Sequence, residues 1–218
     1  MVLLGYCWTI VFNRVVASHL YIHDKVGGLL KLSAKHLSAN IEEKFSNGFL
    51  KNYNGLKNFL KENGLVLERE CKCIVGKHKI SKSACDKVKD KMAFKIRDFI
   101  VVEGNIDEKQ IILLLKTRGP IAAQIRVTKQ YEGSRKDEIY YGPKNMNTEA
   151  DNHIVLLTGI GTRNGVHYFE YQGTWGTTWG GNNGFGKIAR KVSHKGNQSL
   201  IMAYMYPELL DQVLDVQG

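Results

Sequence analysis

Asp151 to Arg190 reads DNHIVLLTGIGTRNGVHYFEYQGTWGTTWGGNNGFGKIAR. His153 opens an apolar run, Ile154–Ile160, of strand length. Asn164-Gly165 is a two-residue turn signal, since both residue types tolerate positive φ. It joins that run to a second one, Val166–Tyr171. Trp175 and Trp179 follow in a glycine-rich bend, and a third strand-like run, Phe185–Ala189, comes after them. A histidine ahead of an apolar run is ordinarily a strand residue at a sheet end. Here it stands among tryptophans and glycines, and a partner for it, Cys7, lies at the far end of the chain.

Just upstream, Ile121–Val127 reads as a further strand, with residues 128–150 mostly loop around a Tyr-Tyr-Gly-Pro turn. Asn105 with Glu108 makes a capping box for a helix ending near Thr117, which Gly119-Pro120 breaks. Phe99–Val102 and Ile201–Tyr206 complete the strands. The first part of the chain is different. From Cys7 to about His23, Trp8, Val11, Phe12, Val15, Val16 and Leu20 recur at helical intervals, and Gly27-Gly28 ends the segment. Ser33 caps a short helix, residues 40–48 are polar loop, and a third helix runs from Phe49 to Asn63 with Gly64 as its stop. Residues 68–98 read as a long surface loop with a short strand or two. The expected fold is therefore α+β: a mainly helical subdomain over 1–98, a mainly antiparallel β subdomain over 99–206, and a tail over 207–218.

The chain has 218 residues, 43% of them hydrophobic, and a formal charge of +10, which fits an ordinary globular protein. The basic residues, such as Lys31, Lys35, Lys51 and Lys57, are scattered and carry no nucleic-acid-binding motif, so neither nucleic acid nor membrane is expected as a partner. The start, MVLLGYCWTIVF, lacks the basic residue and small-residue cleavage site of a signal peptide and is too short to span a bilayer. It reads as a buried helix start. Of the four cysteines, Cys71, Cys73 and Cys85 cluster and Cys7 stands apart, so one pair and two free thiols is the simplest count. Cys-x-Cys with His78 and Cys85 lacks the paired spacing of a zinc site, and neither metal nor cofactor is expected.

Cys7 falls in the first turn of its helix, where unpaired N–H groups and the helix dipole favour a thiolate. A small buried core cysteine is the alternative, and the commoner case. A thiolate nucleophile needs a base beside it, and His153 at a strand start can supply one.

Gly5-Tyr6-Cys7-Trp8 resembles the Gly-Ser-Cys-Trp around the nucleophile of the papain-like cysteine peptidases. Asp151-Asn152-His153-Ile154-Val155 is similar to their Asp/Asn-His-Ala-Val segment. Tyr168–Gly186 resembles their Tyr-Trp-x-x-Lys-Asn-Ser-Trp-Gly-x-x-Trp-Gly-x-x-Gly-Tyr. Leu32–Leu37, and Asn47-Gly48 ahead of a helix ending Glu62-Asn63-Gly64, also fit. The resemblance covers residues 5 to 206 in order, as the mature domain of that family, N-terminally truncated.

It implies a two-subdomain, helical-plus-β-barrel-like endopeptidase acting as a monomer on peptide or protein substrates. Cys7 is the implied nucleophile and His153 its imidazolium partner. Trp175 shields the pair from water, and Gly48 meets the extended substrate backbone. Relatives reach the lysosome, the vacuole or the exterior, and nothing here marks this chain's location.

Two positions depart from the pattern. The family's histidine-orienting asparagine falls at Gly173, and its oxyanion-hole glutamine at Met1. Gln172 and Thr174 flank Gly173, but strand neighbours point to the opposite face. Losing one oxyanion donor typically costs about 2.7–4 kcal/mol in the transition state. These losses imply either a weakened peptidase or an inactive relative that binds peptides or a protein. The disulfide partners that the family places near residues 40 and 45 are Asn40 and Phe45, which leaves Cys85 to Cys71, to Cys73 or reduced. Ile154, where the family often has alanine or glycine, implies a narrowed second substrate pocket.

Overall fold

Helix α1, Cys7–Ile22, is sheathed along most of its length: Trp8, Val11, Phe12, Val15, Val16, Ala17 and Leu20 are all buried. The computed structural model describes residues 6–45, 48–71, 92–128, 131, 138–143, 151–179, 183–191 and 199–211. Gly27-Gly28 does not end α1. Asp24 does, in the left-handed region at φ 53°, with Lys25 N–H bonded to Leu20 O at 2.8 Å and Asp24 N–H to Tyr21 O at 3.2 Å. A short polar side chain tolerates that conformation, and the two bonds satisfy carbonyls that the helix end leaves open.

The chain divides into two compact units, residues 12–100 with 206–218, and residues 1–11 with 101–205. In the first of these, Phe12 packs edge-on against Phe99 at 5.2 Å and Tyr53 at 6.4 Å between ring centroids. Ser33 caps α2, Ala34–Asn40, by accepting from His36 N–H at 3.2 Å, as the sequence implies. Helix α3, Asn54–Glu62, starts later than the expected Phe49. The preceding residues are committed elsewhere: Phe45 N–H bonds to Phe49 O at 2.8 Å and Lys51 N–H to Glu43 O at 2.9 Å. Asn52 Oδ1 then accepts from Asn54 N–H at 2.9 Å, making the turn that admits the helix. Leu56 and Leu60 form its buried face, and Gly64 N–H closes it on Phe59 O at 2.9 Å. Within the expected 68–98 loop, Glu68–Glu70 is a single 3-10 turn, and the described strand pairing is limited to the bridge Leu65↔Phe94 and the start of the next strand. Cys73, His78 and Cys85 lie outside the described residues, and Cys71 is buried.

Residues 101–205 carry most of the sheet. Its strands are β1 Asp98–Glu103, β2 Ile121–Val127, β3 Ile139–Tyr140, β4 Asp151–Arg163, β5 Val166–Gln172, β6 Phe185–Ala189 and β7 Ile201–Glu208. Their order is β1-β7-β2-β4-β5-β6-β3. The α+β class holds and the sheet is mainly antiparallel, with β3 pairing with β6 in parallel; it is not a closed barrel, since the order leaves β1 and β3 as open edges among the described residues. β3 itself lies in the stretch read as loop, since two residues carry no period. Strand β4 extends beyond the expected 154–160 in both directions, with a register shift between Leu157 and Gly159. Its hairpin to β5 turns at Asn164 (φ 49°) and Gly165 (φ 77°), the two positive φ angles of a type I′ turn. Helix α4, Glu108–Thr117, is capped by Asp107 rather than Asn105: Asp107 Oδ1 accepts from Lys109 N–H at 2.9 Å. Glu108 does not close a capping box; its carboxylate accepts from Arg190 Nε at 2.6 Å, tying α4 to the end of β6.

Candidate active site

Cys7 and His153 fall in the same compact unit, although about two-thirds of the chain separates them in sequence. Cys7 is the first residue of α1 and is 1% exposed. Its Sγ accepts a hydrogen bond from Ile154 N–H at 3.4 Å, so the thiol lies against the residue that follows His153 in β4. Burial pushes the thiol up to about 11. The N–H groups of Ile154, Trp8 and Cys7 itself pull the other way, as the open first turn of a helix should, without overcoming the loss of water.

His153 sits opposite Ile125 in the β2–β4 ladder and is fully buried. Burial lowers its imidazole to about 4. Neither Nδ1 nor Nε2 has a hydrogen-bond partner among the described residues, so the ring is bonded neither to the Cys7 thiol nor to an orienting side chain. Burial therefore disfavours the charge of each group taken alone. One proton shared by such a pair is the same proton count whether it rests on sulfur or nitrogen, so the outer titrations belong to the pair.

The β4–β5 ladder ends at Leu156↔Gln172, and Gly173, Thr174 and Trp175 follow just beyond it. Trp175 does stack obliquely on the imidazole, at 5.2 Å and 37° between rings. Thr174 is buried with its hydroxyl unbonded among the described residues, and so does not replace the missing asparagine. At Gly173 the backbone N–H bonds to Gly184 O at 2.8 Å; an added Cβ would meet that oxygen at 3.4 Å and the Trp179 ring at 3.5 Å. Gly48 belongs to the other unit, buried, at φ 92°, with its N–H bonded to Phe45 O at 2.9 Å. Met1 lies outside the described residues.

The sequence reading missed Tyr131. It is 0% exposed, and its ring lies 5.6 Å from His153, 5.3 Å from Trp175 and 5.3 Å from Trp179. A single tyrosine among polar residues, Lys129-Gln130-Tyr131-Glu132, gives no periodic signal; its bulk alone hinted at burial.

A family model described as papain family cysteine protease matches residues 4–206. Cathepsin K of Mus musculus is 26% identical over 191 residues, which cover 87% of this chain and 55% of that protein. Cysteine proteinase 3 of Dictyostelium discoideum is 28% identical over 184 residues, covering 83% and 52% respectively. The chain thus spans about half the length of the curated relatives it matches. Among solved structures, digestive procathepsin L 3 of Tenebrio molitor larval midgut superposes with a TM-score of 0.71 at 20% identity, over 94% of this chain and 64% of that one. The proform of a ragweed pollen allergen cysteine protease gives 0.72 at 23% identity, over 95% and 61%. These structural likenesses establish the helix-plus-sheet fold, the family model spans all but the two ends of the sequence, and the chain belongs to the papain family of cysteine proteases.

Proposed function

We propose that the chain is the peptidase domain of a cysteine-type endopeptidase, in which Cys7 attacks the peptide carbonyl and His153 handles the proton. The observation that carries this reading is the bond from Ile154 N–H to Cys7 Sγ, which ties the helix-start thiol to the residue next to the histidine. In the step, Cys7 Sγ bonds to the carbonyl carbon while its proton passes to the imidazole. The imidazolium then protonates the leaving amine as the C–N bond breaks, and water releases the acyl group from sulfur. The Cys7 backbone N–H, at the start of α1, is a donor for the oxyanion. Trp175 covers the ring, Gly48 offers a side-chain-free backbone to substrate, and Ile154, nearly buried, narrows the neighbouring pocket. The substrate is a peptide or protein and the working form a monomer. Turnover is weakened, because Gly173 leaves the base without a hydrogen-bonded orienter and no glutamine stands at Met1.

A second reading is a non-catalytic relative that binds peptides or a protein partner. The full burial of His153 with both ring nitrogens unbonded favours it. Hydrolysis of a quenched fluorescent peptide library separates the two. Cleavage that Cys7→Ser removes is the result expected of the peptidase. Peptide binding without cleavage, unchanged in Cys7→Ser, would establish the second reading instead.

A further inference from the structure

An imidazole with no hydrogen bond is oriented by packing alone, because the outer torsion of histidine is broad and roughly two-fold. The packing around His153 is aromatic. Trp175 lies obliquely to the ring at 37° and 5.2 Å, and Tyr131 meets it at 61° and 5.6 Å. Tyr131 is in turn wedged into the same cluster: its ring is 5.1 Å from Tyr140, 6.0 Å from Tyr171 and 5.3 Å from both tryptophans, and no part of it is exposed. A side chain so confined does not change rotamer without moving several others. We infer that Tyr131 is a positioning residue, a rigid wall that holds the His153 imidazole in the orientation that a hydrogen-bonding side chain at Gly173 does not supply.

This inference rests on the Cys7–His153 reading for its consequence in catalysis, but the geometry itself can be tested apart from it. The ring works through van der Waals contact and exclusion of water, so its hydroxyl is dispensable. That separates this role from general acid or base chemistry by the phenol. Burial is also what depresses the imidazole, and the titratable groups of the surrounding elements are Cys7 of α1, Tyr140 of β3 and Tyr171 of β5, all of them uncharged at neutral pH when buried here. Removing the wall therefore wets the histidine and raises its titration toward the ordinary value.

The experiment is a side-chain NMR titration of His153, its resonance identified by loss in His153→Ala, in the full chain and in Tyr131→Phe and Tyr131→Ala. The rate of Cys7 alkylation by iodoacetamide is followed across the same pH range. Tyr131→Phe is expected to keep the wild-type titration and a labelling rate within about threefold. Tyr131→Ala is expected to move the titration up by about one pH unit or more and to lower the labelling plateau by about tenfold to a hundredfold, within what a positioned base contributes. A merely structural role would lower thermal stability without moving the titration. An unchanged titration in folded Tyr131→Ala overturns the proposal. If Tyr131→Ala does not fold, the wild-type protein decides: nuclear Overhauser contacts between the Tyr131 ring and the His153 ring protons support the wall, and their absence overturns it. Labelling of wild type that His153→Ala leaves untouched removes the peptidase reading alone, and the titration still reports on Tyr131.

Discussion

Cys7 and Cys71 are both buried and similar in exposure, yet differ in what surrounds them. Cys7, 1% exposed, begins a helix and takes an N–H from the strand residue beside His153. Cys71, 7% exposed, ends a 3-10 turn and packs with Val66, Ala39 and Ala93. Burial pushes the Cys7 thiol up and by itself would make it inert. What distinguishes Cys7 is the helix start and the strand residue beside His153. The core-cysteine interpretation describes Cys71, and the peptidase reading requires that it fail for Cys7.

The difference can be broken at either end. The largest effect is expected on peptide hydrolysis. Cys7→Ser should reduce it by at least about a thousandfold, to background, whereas Cys71→Ser should leave kcat/KM within about twofold. Equal losses in the two variants would mean that stability, not chemistry, is being read.

Next in size is a gain. Gly173→Asn restores an amide at the position where the family carries its asparagine, and the added Cβ meets neighbours no closer than 3.4 Å. It should raise kcat/KM by about tenfold or more, within the range that a well-placed base contributes. An unchanged rate would show that Tyr131 and Trp175 already orient the ring sufficiently.

Acid stability comes third. The folded imidazole titrates at about 4, below its ordinary 6.5, so the unfolded chain takes up a proton that the native state refuses. His153 therefore costs nothing above about pH 6.5, and its penalty grows as pH falls from there to about 4. The steepest slope is about 1.4 kcal/mol per pH unit for one proton. Urea unfolding at several pH values should show this component in wild type and Cys71→Ser and lose it in His153→Gln. A slope that persists in His153→Gln belongs to other groups. The smallest effect is Cys71→Ala itself, which should cost about 1 kcal/mol of stability and nothing in activity.

Much of the architecture was legible because it depends on period and local chemistry. The buried stripe of α1, the Ser33 cap, strands β2 and β6 and the Asn164-Gly165 turn all follow from neighbours in sequence. The misreadings arise where long-range bonds override local preference. Glu108 looked like half of a capping box until Arg190 claimed it, and Phe49 looked helical until Phe45 and Lys51 drew the backbone into a turn. Cys7 and His153 stand out through a motif resemblance and not through periodicity. Gly173 has no side chain to orient a ring, and neither ring nitrogen of His153 is hydrogen-bonded among the described residues. Tyr131 was invisible because its role exists only once β3, β4 and β5 have assembled around it.

The central claim is that His153 makes Cys7 chemically unlike Cys71. Labelling of the native protein by iodoacetamide at pH 5, with each site read by peptide mass spectrometry, tests it most directly, because an ordinary thiol is almost wholly protonated there. Cys7 should label at least about a hundredfold faster than Cys71 in wild type, and the advantage should vanish in His153→Ala. Equal rates at the two cysteines in the wild-type protein, or a Cys7 advantage that survives His153→Ala, would contradict the account.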